Sequence, residues 1–140
     1  MRRFSCTKAT NRSAEVVRVR PDYLEVVYTR GCTLTAVSLK EIRDARRELM
    51  GNTPYAMLSL LPEDIDFELG AMNVDHLAED RRDGNFLAIA VVTRTNMIEM
   101  VLKLYFSYYP LLTRLLVTDK EAEARAWLDA QFKELGRAGR

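Results

Sequence analysis

The run Phe86–Thr93, Phe-Leu-Ala-Ile-Ala-Val-Val-Thr, carries no charge and no strongly polar residue before its last position. A strand wetted on one side would alternate apolar and polar residues, so this one predicts a strand covered on both faces, in the middle of a sheet. Tyr55–Leu61 is a second, shorter run of the same kind, ended by Pro62. Strands buried on both faces need helices to cover them, which narrows the chain to a layered α/β design with a mostly parallel sheet.

Helix signals stand where that design requires them. Ser38-Leu-Lys-Glu41 reads as a capping box, followed by an inner stripe of Ile42, Ala45 and Leu49 and closed by Gly51-Asn52 and Pro54. Arg43, Asp44, Arg46 and Arg47 lie mainly off that stripe. Asn96 with Glu99 opens another helix that Pro110 stops, and Thr118-Asp-Lys-Glu121 opens the last. In that last helix Ala124, Leu128, Phe132 and Leu135 share a face, with Trp127 beside them. The spacing of Ile65, Leu69 and Met72, and of Phe67, Val74 and Leu77, predicts a further helix across Glu63–Asp80.

Before these elements, Ala14–Arg20 and Tyr23–Arg30 form a hairpin around Pro21-Asp22, and Thr113–Val117 supplies a fifth strand. Val17 and Val19 alternate with Arg18 and Arg20, so the first strand is expected to be half exposed. The expected order is ββαβαβαβα: a mostly parallel, mixed five-stranded sheet with four helices and right-handed crossovers. Residues 1–13 read as a flexible N-terminal arm, 14–136 as a single domain and 137–140 as a C-terminal tail.

Composition excludes several activities. Twenty-one basic against 20 acidic residues leave a net charge of +1, too weak a field to hold nucleic acid or an anionic membrane surface. The apolar region Met97–Val117 is interrupted by Glu99, Lys103, Pro110 and Arg114, so no membrane span is expected. Cys6 and Cys32 read as free thiols, without partners for a zinc site, and the start lacks a signal-peptide pattern; both favour the cytoplasm.

Catalytic constellations are equally thin. His76, the single histidine, would share a helical face with Asp80 in an ordinary i,i+4 surface pairing. Glu63, Asp64, Asp66 and Glu68 would favour the positive end of the helix they precede. Arg18, Arg20, Arg30, Arg43, Arg46 and Arg47 read as solvated faces. No glycine-rich phosphate loop or nucleophile elbow is present, so no enzyme, cofactor or metal is expected.

The paired strands "AEVVRVRPDYLEVVYTRGCTLT", the helix "SLKEIRDARRELM", the strand "FLAIAVVTR" and the ending "TRLLVTDKEAEARAWL" together resemble the STAS-like domains. That group includes the sporulation anti-sigma-factor antagonist and cytoplasmic domains of sulfate transporters. The likeness covers residues 14 to about 132 and is most similar to small uncharacterised bacterial STAS-like proteins. It implies a regulatory, protein-binding module. In signalling members, a Ser or Thr in an Asp-Ser-Ser-Gly-like turn is phosphorylated, which breaks partner binding. Here Phe67-Glu68-Leu69-Gly70 falls on that turn; the glycine matches, the hydroxyls are gone, and no Ser or Thr occurs between Ser59 and Thr93.

Attention therefore moves to 96–109. Met97, Ile98, Met100, Val101, Leu102, Leu104, Tyr105, Phe106, Tyr108 and Tyr109 exceed the apolar stripe of about 100° that one sheet face requires. The excess is absorbed by neighbouring helices or by another surface. The expectation is a non-enzymatic interaction module, self-associating as a homodimer through Met97, Met100, Val101, Leu104, Tyr105, Phe106, Tyr108 and Tyr109, with an unidentified protein partner. The alternative is a domain binding a small apolar ligand or lipid in a groove beside the same helix.

Overall fold

The computed structural model describes residues 8–10, 13–68, 70–71, 77–108 and 114–136. Its elements are β1 (Lys8–Thr10), β2 (Ala14–Arg20), β3 (Tyr23–Tyr28), β4 (Thr33–Leu34), α1 (Ala36–Met50), β5 (Tyr55–Leu60), β6 (Asp66–Phe67), α2 (Ala78–Asp83), β7 (Phe86–Val92), α3 (Asn96–Tyr108), β8 (Arg114–Thr118) and α4 (Glu121–Glu134). The expected five strands line up as β2-β3-β5-β7-β8, antiparallel between β2 and β3 and parallel thereafter. β1, from the stretch read as an arm, adds a short antiparallel edge on β2, where Glu15–Val17 offer an unpaired strand side.

Strand order follows chain order, so each crossover steps in the same direction across the sheet. Right-handed connections then place α1, α2 and α3 on one face, and α4, which has no later strand to reach, turns back onto the other. The two cores agree. Val26, Met57, Ile89 and Val91 pack with Ile42 and Leu49 of α1 and Ile98 and Leu102 of α3. Ala56, Leu58, Ala88, Ala90 and Val92 pack with Ala124, Leu128 and Phe132 of α4. Both β5 and β7 are thus apolar on consecutive residues because each face has its own helical cover.

Among the described residues three long helices, not four, cover the sheet, and α2 has six residues; Leu69, Met72 and Val74 of the expected second helix lie outside the described residues. The expected helix over Glu63–Asp80 fails at its start because Asp64-Ile65-Asp66-Phe67-Glu68 alternates with period two. Ile65 is buried and Phe67 half-buried while Asp66 and Glu68 are exposed. The segment is therefore extended, and β6 pairs in parallel with β4. The N–H groups of Asp66 and Glu68 donate to the carbonyls of Cys32 and Leu34 at 3.0 and 2.9 Å.

Helix starts also move. α1 begins three residues before the box read from sequence: Thr35 is the N-cap, and Thr35 and Ser38 each accept the other's backbone N–H, at 3.0 and 2.7 Å. Thr35→Ala is expected to cost about 1 kcal/mol of stability. A urea midpoint indistinguishable from wild type would show that the cap is dispensable. α3 is capped by Thr95, whose Oγ1 accepts from Ile98 N–H at 3.3 Å, and α4 starts after Lys120 without a side-chain cap. The Thr118 hydroxyl instead accepts the Lys120 N–H and bonds to Glu123.

The hairpin turn at Pro21-Asp22 is as read, but the α1-facing side of β2 carries Ala14 and Val16, and Val19 is exposed. Arg18 reaches the end of α1 and donates to the Leu49 carbonyl at 2.9 Å, a cation placed where helix carbonyls lack partners.

Candidate functional site

Between the sheet and the α1–α3 layer lies a partly enclosed cavity of about 110 Å³. Ile42 of α1, Leu102, Tyr105 and Phe106 of α3, Met57 and Val91 of the central strands, and Phe67 of β6 form most of its apolar wall. Polar groups among the lining side chains come from Tyr28 at the end of β3, Ser59 near the end of β5, Arg46 from α1 and the hydroxyl of Tyr105. Burial pushes the Tyr28 hydroxyl up to about 12, so it stays neutral at physiological pH.

Arg46, expected from sequence on a solvated basic face, is instead buried beneath α1. It is 3% exposed, and its Nη1 donates to Tyr55 Oη at 2.8 Å and to Asp80 Oδ2 at 3.0 Å. Asp80, read as a surface partner of His76, is 2% exposed; Asn85 Nδ2 also reaches its Oδ1 at 3.4 Å, and Arg47 lies 3.7 Å away. His76 lies outside the described residues. Burial works against the Arg46 charge, but the Tyr55 hydroxyl and the Asp80 carboxylate outweigh it and hold the guanidinium firmly protonated. The Phe86 ring stacks under it with the guanidinium carbon 5.5 Å from the ring centroid. This closed cluster joins α1, α2 and the starts of β5 and β7. A signal for it existed, since Arg46 follows Ile42 by four residues and precedes Leu49 by three, within the inner stripe.

The apolar excess of α3 divides between two faces. Tyr105 is 7% exposed and, with half-buried Phe106, turns into the cavity, so neither belongs to an outer surface as expected from sequence. Their rings meet edge to face, 5.3 Å between centroids. Met100 and Leu104, one helical turn apart, are 68% and 60% exposed, and Val101 is half-buried beside them. Glu99 and Lys103 flank this ridge as an ion pair at 3.0 Å. Met97 and Tyr108 fall within α3, whereas Tyr109 lies outside the described residues.

At the position where the sequence resemblance places the phosphorylated turn of signalling STAS-like domains, Phe67 is in β6 and lines the cavity, and Glu68 is exposed with its carbonyl accepting the Ala71 N–H at 2.9 Å. Gly70 is exposed, and Leu69 lies outside the described residues. The acidic run does not serve a helix start. Asp64 instead accepts the Gly31 N–H at 2.8 Å, closing a turn where Gly31 has φ +71°, and faces Arg30 at 3.7 Å. Cys32, next in that turn, is half-buried, and burial raises its thiol above the ordinary range. Among the described residues no group of three or more His, Cys, Asp or Glu side chains could hold a metal ion, and no helix is long and apolar enough to cross a membrane.

This arrangement, a hairpin, sequential parallel strands, three crossover segments on one face and a closing helix on the other, is the STAS-like fold. The crystal structure of an uncharacterised protein of the DUF3478 family with a SpoIIAA-like fold, from Shewanella loihica PV-4, superposes with a TM-score of 0.57 at 19% identity. The match covers 86% of this chain and 98% of that one. No family model matches the sequence. No curated protein matches it either.

Proposed function

We propose that this STAS-like domain is a non-catalytic interaction module that self-associates through the outer face of α3. The observation that carries the reading is the exposure of Met100 and Leu104, 68% and 60%, side by side on a helix whose opposite face is already buried in the core. An unbranched methionine and a leucine suit a contact surface that adapts to its partner.

A second copy fits that face through its symmetry. With α3 antiparallel to its counterpart across a two-fold axis at the level of Leu102, Met100 meets the partner's Leu104. Regulation by phosphate at the 67–70 turn is chemically excluded, because no hydroxyl is present there.

Light scattering tests the reading directly. Wild-type protein is expected at twice the chain mass at tens of micromolar, and Met100→Glu/Leu104→Glu at the monomer mass with an unchanged circular dichroism spectrum. Substituting Phe106 would be a poor substitute, because its ring lines the cavity. A wild-type chain that remains monomeric to on the order of 1 mM, or a double variant that keeps the dimer mass, would rule out this interface.

A further inference from the structure

We propose that the cavity between α3 and the sheet is a binding site for a small neutral ligand of one ring bearing one hydroxyl, with phenol the simplest member of the class. Size favours small candidates. Pockets that take drug-sized or lipid-like molecules span about 300 to 1,000 Å³. An apolar cavity of about 150 Å³ takes up benzene, so a single ring already fills the 110 Å³ available here, and a longer guest would extend out of its open side.

The walls choose a ring. Tyr105 and Phe106 already stand edge to face and Met57 presents a thioether to the same space, groups that favour an aromatic guest over an alkyl one. The polar corner chooses a hydroxyl. Tyr28 and Ser59 both line the cavity, and each hydroxyl can donate and accept a hydrogen bond.

Charge is disfavoured even though an arginine lines the site. The Arg46 Nη1 group is occupied by Tyr55 and Asp80, and Arg46 and Arg47 are balanced by Asp80 and Asp83 at 3.0 to 4.0 Å. A carboxylate entering the cavity would lose its water without meeting an uncompensated cation.

Titration of the 140-residue chain with phenol, toluene and benzoate, followed by saturation-transfer NMR and calorimetry, separates the possibilities. Phenol is expected to saturate with a Kd on the order of 1 mM or tighter, and benzoate to bind at least about tenfold more weakly. Ser59→Ala should weaken phenol by about fivefold and leave toluene unchanged. Val91→Phe should fill the space and abolish binding of both. Should that variant fail to fold, Val91→Leu, larger by one methylene, should weaken both ligands at least about threefold. Phenol should bind the Met100→Glu/Leu104→Glu chain as it binds wild type, since the ridge and the cavity are on different sides of α3. Absence of saturable phenol binding at about 20 mM, far above that Kd, equal affinity for benzoate, or phenol binding undiminished in the cavity-filling variants would overturn the assignment.

Discussion

Asp80→Ala should lose about 3 to 5 kcal/mol of folding stability, a large part of what a domain of this size possesses. The loss comes less from the missing attraction than from what remains. Arg46 would keep its charge at 3% exposure with its nearest carboxylate gone. Exposed pairs such as Lys40–Asp44 contribute far less, because solvent screens them and two long side chains must be ordered to make them. The decisive comparison is the double variant Arg46→Met/Asp80→Leu, which removes both charges and should recover most of the loss. Equilibrium urea unfolding of the three proteins checks this. A single variant within about 1 kcal/mol of wild type would mean that the cluster is solvated in solution and does not join α1 to α2.

Phe132→Ala should cost a similar 3 to 5 kcal/mol, from lost burial and the cavity left behind. Phe132 is fully buried at the centre of the α4 core, edge-on to Tyr23 with centroids 6.1 Å apart and with the Arg20 guanidinium carbon 5.3 Å from its ring centroid. Around it the sheet presents Ala56, Ala88 and Ala90, small side chains that let α4 approach closely and leave few neighbours able to move into the vacancy. Leu135→Ala, three residues along but at an exposed position, should change stability by less than about 0.5 kcal/mol. If the two variants unfold at the same urea concentration, α4 does not depend on that ring. The salt bridge between Arg125 and Glu25, at 2.8 Å, would not rescue the packing, since both partners are at the rim of the helix.

Much of the architecture could be read from residues alone, and the misreadings have local causes. Continuous apolar runs identified β5 and β7 as central strands because covering both faces leaves no room for alternation. The helix expected over Glu63–Asp80 was drawn from Ile65, Leu69 and Met72 at helical spacing, yet Ile65 and Phe67 also satisfy a two-residue period. Short windows support both, and the pairing with Thr33–Leu34 decided for the strand. At the start of α1, Ser38 and Glu41 formed a plausible box, but Thr35 and Ser38 form the actual one a turn earlier. Element type survives such errors; boundaries do not.

The candidate site was less legible. The over-apolar stretch 96–109 was recognisable as the place to look, because ten apolar residues cannot all face one sheet. Its division was not: Tyr105 and Phe106 went to the cavity while Met100 and Leu104 went to solvent, according to where α1 and the 61–68 segment leave space. Tyr28, Ser59 and Arg46 come from three separate elements, and no spacing in the chain links them.

The sequence by itself determined the layered α/β class, the two doubly covered strands, the helices that are α1, α3 and α4, and the lack of a phosphorylatable hydroxyl at 67–70. Each of these follows from local periodicity, from turn chemistry, or from residue identity alone. Only the tertiary structure decided that Arg46 and Asp80, 34 positions apart, meet at 3.0 Å in the interior, and that one helix lines a cavity with one side and exposes a ridge with the other. Those outcomes depend on the angle and distance at which packed layers meet, which no periodicity encodes.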